Sequence, residues 1–552
     1  MKGYEAIVDI LQREGVDFLS LFPGGGRSGA LGQIVNEAAR RGLRTILARK
    51  ERVAVNIADG YSRTSGKVGV ALITAGVGAE NAFSGISQAH SDHVPLLILV
   101  EGAARPRIGS RPTQDFDVLH NYLKVTKWVQ QVNMASRIPE LMRMAFTYLR
   151  TGPAGPVCLE VPPDVAAEEV GPELPYEPVR GWRCGADPGD VRDAVRLLLA
   201  AETPLLFAGE GVFYAGAWEA LMELAELVQV PVMTTAKAKG VFPENHPLSV
   251  GNGGRGGGKP AAHFLRRADL VFAVGASLTR GPGPPIPRGK AIIHSTLDPM
   301  DINRNYPTGH VILGDAKIVL GQVVEEAKRA LGGGREPDEA LVNEIRRVKA
   351  DWLEEWMPKL TSDETPINPY RLIWDLMHAV DRGSAIITPD AGWPRDSLAP
   401  FWETVTPRGY IGWGHHSTMG GSLGFAMGAK LAEPGKTVIN YIGDGSFGMV
   451  GMDFETAVRE RIPILTVMTN NVGLGHYYDD VPSVAYLGGN YAKVAEALGG
   501  YGERVELPDE IIPAIERGLS SVASGRAALL EFMTAREHAM NSRYWTDLYA
   551  SQ

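Results

Sequence analysis

The chain has 552 residues, which is enough for two to four domains with separate cores. Its formal net charge of −9 at pH 7 disfavours nucleic acid and anionic lipid as main partners. The two cysteines, Cys158 and Cys184, cannot build a disulfide framework and match no zinc-site spacing, so the composition favours a reducing cytoplasm.

The N-terminal segment MKGYEAIVDILQREGVDF alternates charged and apolar residues at helical spacing, unlike a signal peptide. No window of the sequence reaches the ~20 uncharged apolar residues that a membrane span needs. We therefore expect a soluble, cytoplasmic protein with a small-molecule substrate and no membrane or nucleic-acid partner.

Three stretches of the chain repeat the alternation of apolar strands and amphipathic helices that is typical of parallel α/β domains. The first includes VGVALIT at 68–74, and a segment rich in Pro, Gly and charge at 168–190 follows it. The second fades into LGGGREPDEA, and the third begins at TPINPYRLIWDLM. The predicted fold class is α/β with three parallel-sheet domains, over 1–167, 187–335 and 360–552.

The segment GDGSFGMVGMDFETAVRERIPILTVMTNN, residues 443–471, places a carboxylate between two glycines and ends on two asparagines. Asp444 follows the buried strand KTVINYI, and residues 449–461 predict a helix of about 20 Å. The strand at 462–468 returns about 23 Å. A right-handed crossover therefore brings the asparagines to the sheet edge where Asp444 lies. These oxygens are too few to complete an octahedron, a shortage that suits Mg²⁺ shared with a diphosphate.

This pattern resembles the thiamine diphosphate fingerprint of the family that contains acetolactate synthases, 2-oxo acid decarboxylases and 2-hydroxyacyl-CoA lyases. The resemblance implies a pyrimidine-binding N-terminal domain, a Rossmann-like central domain and a diphosphate-binding C-terminal domain. It implies that Asp444, the Asn471 side chain and the Gly473 carbonyl hold Mg²⁺. Further cofactor contacts are implied for Gly392, Gly443, Gly445, Ser446 and Leu474.

A second segment, LARKERVAVNIADGYSRTSGKVGVALITAGVGAENAFSG, resembles the N-terminal half of the family's active site. Glu51 falls on the catalytic glutamate, which must be buried beside the aminopyrimidine ring of the cofactor to activate it. Gly76, Gly78 and Asn81 fall on the turn beside the pyrimidine, and Val77 stands where proline is common in the family.

The third matching segment is GHHSTMGGSLGFAMGAK, residues 414–430. Met419 occupies the position of the apolar residue that wedges the cofactor into a bent shape, and the Ser417 carbonyl would accept from the aminopyrimidine amine. The matching segments lie in the first and third domains. In the family the glutamate of one subunit meets the diphosphate-binding domain of another, so the resemblance implies a homodimer or homotetramer with active sites at the subunit interface.

The central domain carries Gly209 and Gly211 after a strand but lacks the third glycine of a dinucleotide fingerprint. Related central domains bind FAD, bind the ADP part of coenzyme A, or bind nothing. Arg255, Arg280 and Asp298 are candidate nucleotide contacts, with solvated surface charge as an equal alternative.

Substrate recognition is expected from residues that surround the thiazolium but are not needed to hold the cofactor. Imidazoles titrate near pH 7 and can shuttle protons. The candidates are Gly25, also expected near the cofactor, and the possible catalytic residues Gln114, His415, His416 and His476.

We therefore expect a lyase, decarboxylase or carboligase that makes or breaks a carbon–carbon bond next to a carbonyl. The main interpretation is a 2-hydroxyacyl-CoA lyase or 2-oxo acid decarboxylase. An acetolactate synthase-like carboligase is the alternative, weakened because TQD and HYYDD replace the FQE and Gln-Trp of typical synthases.

Other classes fit less well. Glu51 disfavours a glyoxylate carboligase, and Gln and Asp near residue 114 disfavour a pyruvate decarboxylase. A flavin or nicotinamide oxidoreductase built on the central domain leaves the GDG-to-NN spacing unexplained. A catalytically silent binding protein would most easily have lost Glu51.

Overall fold

The computed structural model describes residues 1–24, 26–171, 173–279, 285–412, 414–474 and 481–550. Within these ranges the strands form two six-stranded sheets and one five-stranded sheet, one in each predicted α/β stretch. Every strand pairing in these sheets is parallel. The predicted fold class, three parallel-sheet α/β domains, is confirmed.

The strands of each sheet come from one stretch of the chain. The N-terminal sheet contains β1 (Phe18–Phe22), β2 (Arg44–Leu47), β3 (Gly69–Ile73), β4 (Leu96–Glu101), β5 (Trp128–Gln131) and β6 (Val157–Val161). The central sheet contains β7 (Pro204–Ala208), β8 (Val232–Thr234), β9 (Ser249–Asn252), β10 (Leu270–Val274), β11 (Ala291–Thr296) and β12 (His310–Leu313). The C-terminal sheet contains β13 (Ala385–Pro389), β14 (Thr437–Gly443), β15 (Leu465–Asn470), β16 (Tyr501–Val505) and β17 (Ala528–Met533).

The helices connect these strands and cover both faces of the sheets, as parallel sheets require. The N-terminal helices are α1 (Gly3–Arg13), α2 (Ala30–Arg40), α3 (Glu51–Ser65), α4 (Val77–Ser91), α5 (Val118–Tyr122), α6 (Ile138–Arg150) and α7 (Pro163–Ala167). The central helices are α8 (Pro188–Ala200), α9 (Glu210–Ala215), α10 (Trp218–Val228), α11 (Lys259–Arg267) and α12 (Ala316–Leu331), followed by the connecting α13 (Glu339–Leu360). The C-terminal helices are α14 (Pro369–Ala379), α15 (Trp393–Phe401), α16 (Gly421–Ala432), α17 (Asp444–Val450), α18 (Phe454–Arg459), α19 (Pro482–Ala485), α20 (Tyr491–Ala497), α21 (Ile511–Ala523) and α22 (Thr546–Ala550).

The central sheet has the strand order β12-β11-β10-β7-β8-β9. This order reverses direction between β7 and β10, as in a Rossmann fold, and the crevice at such a reversal is where open α/β sheets bind ligands. No helix in the described ranges is long and apolar enough to cross a membrane.

The crossover from β14 to β15 differs in detail from the predicted single helix at 449–461. Helix α17 begins at Asp444 itself, a 3-10 turn follows at Gly451–Asp453, and α18 completes the connection. Strand β15 begins at Leu465, three residues later than predicted, because Arg461 turns with a φ of 54° and Pro463 lacks the N–H of a strand residue. The crossover still returns the chain to the same sheet edge.

Helix α3 of the N-terminal domain crosses α16 of the C-terminal domain at backbone contact distance. A Cβ atom at Gly60 would lie 2.4 Å from Phe425 Cα, and one at Gly428 would lie 2.1 Å from the Ile57 carbonyl oxygen. Only glycine permits this approach. The first and third domains are therefore held in one fixed relation within the chain.

The C-terminal segment returns to the central domain after β17. The indole N–H of Trp545 donates to the Gly257 carbonyl oxygen at 2.8 Å, and Arg266 forms an ion pair with Asp547 at 2.7 Å. The connecting helix α13 stacks Trp352 on Phe401 at 5.0 Å between ring centroids. Both segments join the central and C-terminal domains.

Candidate active site

Two neighbouring strands of the C-terminal sheet present the GDG and NN motifs side by side. Gly443 lies opposite Thr469 in the β14–β15 register, so Asp444 and Asn470 follow at the same carboxyl edge. Asp444 is 3% exposed, and its Oδ2 accepts from the Gly473 backbone N–H at 3.1 Å. The structure thus brings Asp444 and the loop after the asparagines together.

The two asparagines differ in their hydrogen bonds. The Asn470 side chain donates to Glu531 Oε1 at 2.7 Å and accepts from the Val472 N–H at 2.9 Å. Asn471 instead has a buried Oδ1 with no hydrogen-bond donor among the described residues. A buried oxygen without a donor is costly unless a cation or water satisfies it.

A cation fits this donor set. Carboxylate, amide and backbone carbonyl oxygens are hard ligands, which Mg²⁺ prefers. Burial raises the pKa of Asp444 to about 6, and a bound cation would oppose this shift because it favours the ionised carboxylate. No group of three His, Cys, Asp or Glu side chains with metal-site geometry occurs in the described part of the chain.

The backbone beside Asp444 forms a cradle for a ligand. A Cβ atom at Gly445 would lie 3.2 Å from both Leu474 Cδ1 and Leu487 Cδ1, and 3.7 Å from Met419 Cε. Ser446, next in α17, is 2% exposed. The structure therefore places four predicted cofactor contacts around one point, Gly445, Ser446, Leu474 and Met419.

The N-terminal half site is built on the first turns of α3 and α4. Glu51 is the first residue of α3 and only 5% exposed. Its Oε2 accepts from Asn81 Nδ2 at 3.2 Å, and a Cβ atom at Gly78 would lie 3.3 Å from its Oε1. A buried carboxylate with one amide donor satisfies the burial that the glutamate role requires.

The turn before α4 brings Gln114 into the same half site. Gly76 has a φ of 62°, and a Cβ atom there would lie 2.6 Å from Gln114 Cβ. Glycine is needed at this position both for the backbone angle and for the close approach. Gln114, which is exposed, therefore lies beside the predicted pyrimidine turn.

The segment that contains Ser417 and Met419 is held at both ends. Gly412 accepts from Arg63 Nη1 through its carbonyl at 3.0 Å, and the Gly420 N–H donates to Asp390 Oδ1 at 2.9 Å. Ser417 Oγ accepts from Arg395 Nη1 at 3.2 Å. This segment is thus tied to α3 on one side and to the end of β13 on the other.

The positions of the remaining predicted residues do not assign them a role. His415 and His416 are exposed, and His416 Nε2 lies 3.4 Å from Ser87 Oγ on α4. Gly392 has a φ of 74° and open space around its Cβ position, at the start of α15. Gly25, Arg280 and His476 lie outside the described residues.

Asp390 was missed by sequence reasoning. It is fully buried and accepts from the backbone N–H of Gly420 and from the N–H and Oγ of Ser422, at 2.7 to 3.1 Å. The signal was present, because PDAG follows the strand GSAIIT as GDG follows KTVINYI. Asp390 orients the turn that carries Met419.

A cavity of about 850 Å³ lies between the strand-order reversal of the central domain and the N-terminal domain, whose residues 149–154 also line it. Gly211 after β7, together with Gly275 after β10 and Thr296 after β11, lines it. The glycines after β7 are explained by chain packing, because a Cβ atom at Gly209 would lie 2.4 Å from the Gly275 carbonyl oxygen. They are therefore weak evidence for a nucleotide.

Two of the candidate nucleotide contacts have partners in the protein. Arg255, half exposed, lies 3.4 Å from Asp396. The Asp298 side chain accepts from the Met300 N–H at 2.9 Å and so caps a 3-10 turn. Asp298 also lines the cavity at the strand-order reversal, whereas Arg255 does not.

Three family models match the chain. They describe the N-terminal thiamine pyrophosphate-binding domain over residues 1–124, the central domain of thiamine pyrophosphate enzymes over 191–323, and their C-terminal thiamine pyrophosphate-binding domain over 390–532.

Curated relatives cover nearly the whole chain. A probable acetolactate synthase large subunit from Methanocaldococcus jannaschii is 33% identical over 94% of this chain and 90% of its own length. One of the same description from Methanococcus aeolicus is 32% identical with the same coverage. The acetolactate synthase isozyme 3 large subunit of Escherichia coli is 29% identical over 96% of this chain and 94% of its own length. The chain is a thiamine diphosphate-dependent enzyme and belongs to the thiamine pyrophosphate enzyme family.

Proposed function

We propose that the chain is a carboligase of the acetolactate synthase type, which releases CO₂ from one 2-oxo acid and joins the remaining fragment to a second. The observation that carries this proposal is the set of near-full-length relatives named acetolactate synthases. The alternative in the sequence analysis is thus better supported than the 2-hydroxyacyl-CoA lyase or decarboxylase that we expected first.

In this proposal Asp444, Asn471 and the Gly473 carbonyl hold Mg²⁺, and Gly445 and Ser446 contact the diphosphate. Support comes from the buried Asn471 Oδ1 that lacks a described donor and from the crowding at Gly445, where a Cβ atom would lie 3.2 Å from two leucine side chains. Bound thiamine diphosphate supplies an electron sink for the bond next to the substrate carbonyl. Glu51 holds a proton at the pyrimidine side of the site.

We propose that a second copy of the chain completes the site. Both halves expose apolar side chains: Val77 beside the pyrimidine turn is 56% exposed, and Met452 after α17 is 54% exposed. The polar contacts of each half lie within its own domain, since Glu51 accepts from Asn81 on α4 and Asp444 accepts from Gly473. A dimer that pairs the N-terminal half site of one copy with the C-terminal half site of the other would cover these residues.

The cavity of about 850 Å³ at the central-sheet reversal is the proposed nucleotide site. Its volume suits FAD or the ADP part of coenzyme A. An absorption spectrum of the purified protein distinguishes the two, because only flavin absorbs visible light. Binding of coenzyme A to a colourless protein would support the ADP reading.

Product analysis tests the proposed reaction. The holoenzyme is incubated with a panel of 2-oxo acids and 2-hydroxyacyl-CoAs, and the products are identified by mass spectrometry. We expect one CO₂ and one 2-hydroxy-3-oxo acid from each pair of 2-oxo acids. One aldehyde per CO₂ would indicate a decarboxylase instead. Formyl-CoA and an aldehyde without CO₂ would indicate a lyase.

A further inference from the structure

The loop that follows β15 contains a strained backbone position. Val472, between the proposed metal ligands Asn471 and Gly473, has a φ of 56°. This left-handed conformation is unfavourable for a β-branched residue and persists only where surrounding contacts enforce it. The positive φ turns the chain so that the loop folds back toward Asp444, whose Oδ2 accepts from the Gly473 N–H.

Several contacts enforce the turn from within the C-terminal domain. Asn470 Oδ1 accepts from the Val472 N–H at 2.9 Å, and Asn470 is itself held by Glu531. The Leu487 N–H donates to the Val472 carbonyl at 3.2 Å. These bonds fix the start of the turn and one of its carbonyl groups.

The side chain of Arg536 contacts two backbone carbonyl groups of the turn. Its Nη2 donates to the Val472 carbonyl at 3.2 Å, and its Nε lies 3.4 Å from the Asn471 carbonyl oxygen. The guanidinium also lies 4.7 Å over the ring of Tyr486. A Cβ atom at residue 473 would be 2.4 Å from Arg536 Nη2, so Gly473 leaves the space that the guanidinium occupies.

Geometry, rather than charge, explains a basic residue at this point. The fork of an arginine can hold two neighbouring carbonyls at once, which a lysine cannot. The carbonyls that it holds belong to Asn471 and Val472, so neither is one of the proposed metal ligands. A positive charge near Asp444 would by itself oppose a bound cation.

We propose that Arg536 is a positioning residue that holds the strained turn at Val472 and so aims the Asn471 side chain and the Gly473 carbonyl at the metal. The inference rests on the Mg²⁺ site of the proposed function. In the sequence, Arg536 lies in the segment MTARE, three residues after β17 ends at Met533.

The test is a Mg²⁺ titration at saturating thiamine diphosphate, with bound cofactor measured by equilibrium dialysis of the full-length protein. We expect Arg536→Met to raise the apparent Kd for Mg²⁺ at least about tenfold, which is the effect of losing one charge-assisted contact. The apparent Kd of Arg536→Lys should lie between those of the natural chain and Arg536→Met, because lysine keeps the charge but can hold only one of the two carbonyls.

A rescue variant separates positioning from general destabilisation. Adding Val472→Gly to Arg536→Met removes the cost of the positive φ, so we expect the apparent Mg²⁺ affinity to recover in part. Arg543→Met is the matched control, because Arg543 also stacks on aromatic rings, 4.9 Å from Trp356 and 4.8 Å from Tyr544. It should leave the Mg²⁺ affinity unchanged.

Three outcomes would overturn the inference. Tighter or unchanged Mg²⁺ binding in Arg536→Met would show that charge dominates or that the contact does nothing. Equal losses in Arg536→Met and Arg543→Met would show a non-specific effect. Cofactor binding by the natural chain that does not depend on Mg²⁺ would remove the metal site itself, and with it this role of Arg536. If Arg536→Met does not fold, Arg536→Lys with and without Val472→Gly gives the same comparison.

Discussion

The two halves of the candidate site are built in opposite ways. Glu51 and Asn81 lie in the first turns of α3 and α4, 15-residue helices, and they satisfy each other through one hydrogen bond. The proposed metal half lies on a loop with a strained valine and an amide oxygen, Asn471 Oδ1, that lacks a described donor. The described residues give Glu51 a hydrogen-bond donor, whereas they leave Asn471 Oδ1 without one, and the proposed Mg²⁺ would satisfy that oxygen.

The largest expected effect separates chemistry from binding. Glu51→Gln keeps the size and the burial of the side chain but removes the ionisable group. We expect turnover to fall at least about 100-fold, as for other general acid–base groups. The apparent Kd for thiamine diphosphate should change little, because the metal half is intact. Steady-state kinetics and cofactor dialysis on one preparation check this, and unchanged turnover would refute the assigned role.

The packing of α3 on α16, which joins the N-terminal and C-terminal domains within one chain, is the next most sensitive point. Gly428→Ala would place a Cβ atom 2.1 Å from the Ile57 carbonyl and 2.4 Å from the Tyr61 nitrogen, both backbone atoms of α3. We expect a loss of about 3 kcal/mol in the free energy of unfolding, typical of severe overpacking. Denaturant unfolding measures it.

Gly321→Ala is the matched control for this substitution. Gly321 also lies inside a helix, α12, but a Cβ atom there meets nothing within 4 Å. We expect a gain of about 0.5–1 kcal/mol from helix propensity. Similar stability of the two variants would contradict the close packing of α3 on α16.

The smallest expected effect concerns the orientation of the glutamate. Asn81→Ala removes the amide that donates to Glu51 Oε2. We expect about a tenfold loss of kcat, from the loss of one hydrogen bond to a charged group. Asn36→Ala, which removes an exposed helix-surface contact to Gly32, is the control. An equal response of the two variants would mean that Asn81 does not orient Glu51.

Sequence patterns predicted the fold well because each parallel strand is a short apolar run. They also predicted that Asp444 and the asparagines share a sheet edge, since strand and helix lengths determine that geometry. Patterns alone could not assign different roles to Asn470 and Asn471, which only the family resemblance distinguished, because the contacts of Asn470 depend on Glu531 from a strand 61 residues away. Arg536 and Asp390 were missed for the same reason, since each acts on backbone groups that are remote in sequence.

The substrate was the least predictable feature. The replacement of FQE by TQD led us to expect a lyase or decarboxylase first, although relatives that match 94% of the chain are named acetolactate synthases. Short motifs near residue 114 report local contacts, and Gln114 is an exposed side chain beside Gly76. Such contacts vary among enzymes that share a cofactor.

The most direct test of the account is to measure thiamine diphosphate binding with and without Mg²⁺ in the natural chain and in Asp444→Ala. We predict one cofactor per chain with Mg²⁺, loss of this binding when EDTA removes the metal, and an apparent Kd at least about 100-fold higher in the variant, as expected when a charged metal ligand is removed. Equal affinity in the natural chain and Asp444→Ala, or binding that persists in EDTA, would contradict a metal-bridged site at the edge of the C-terminal sheet.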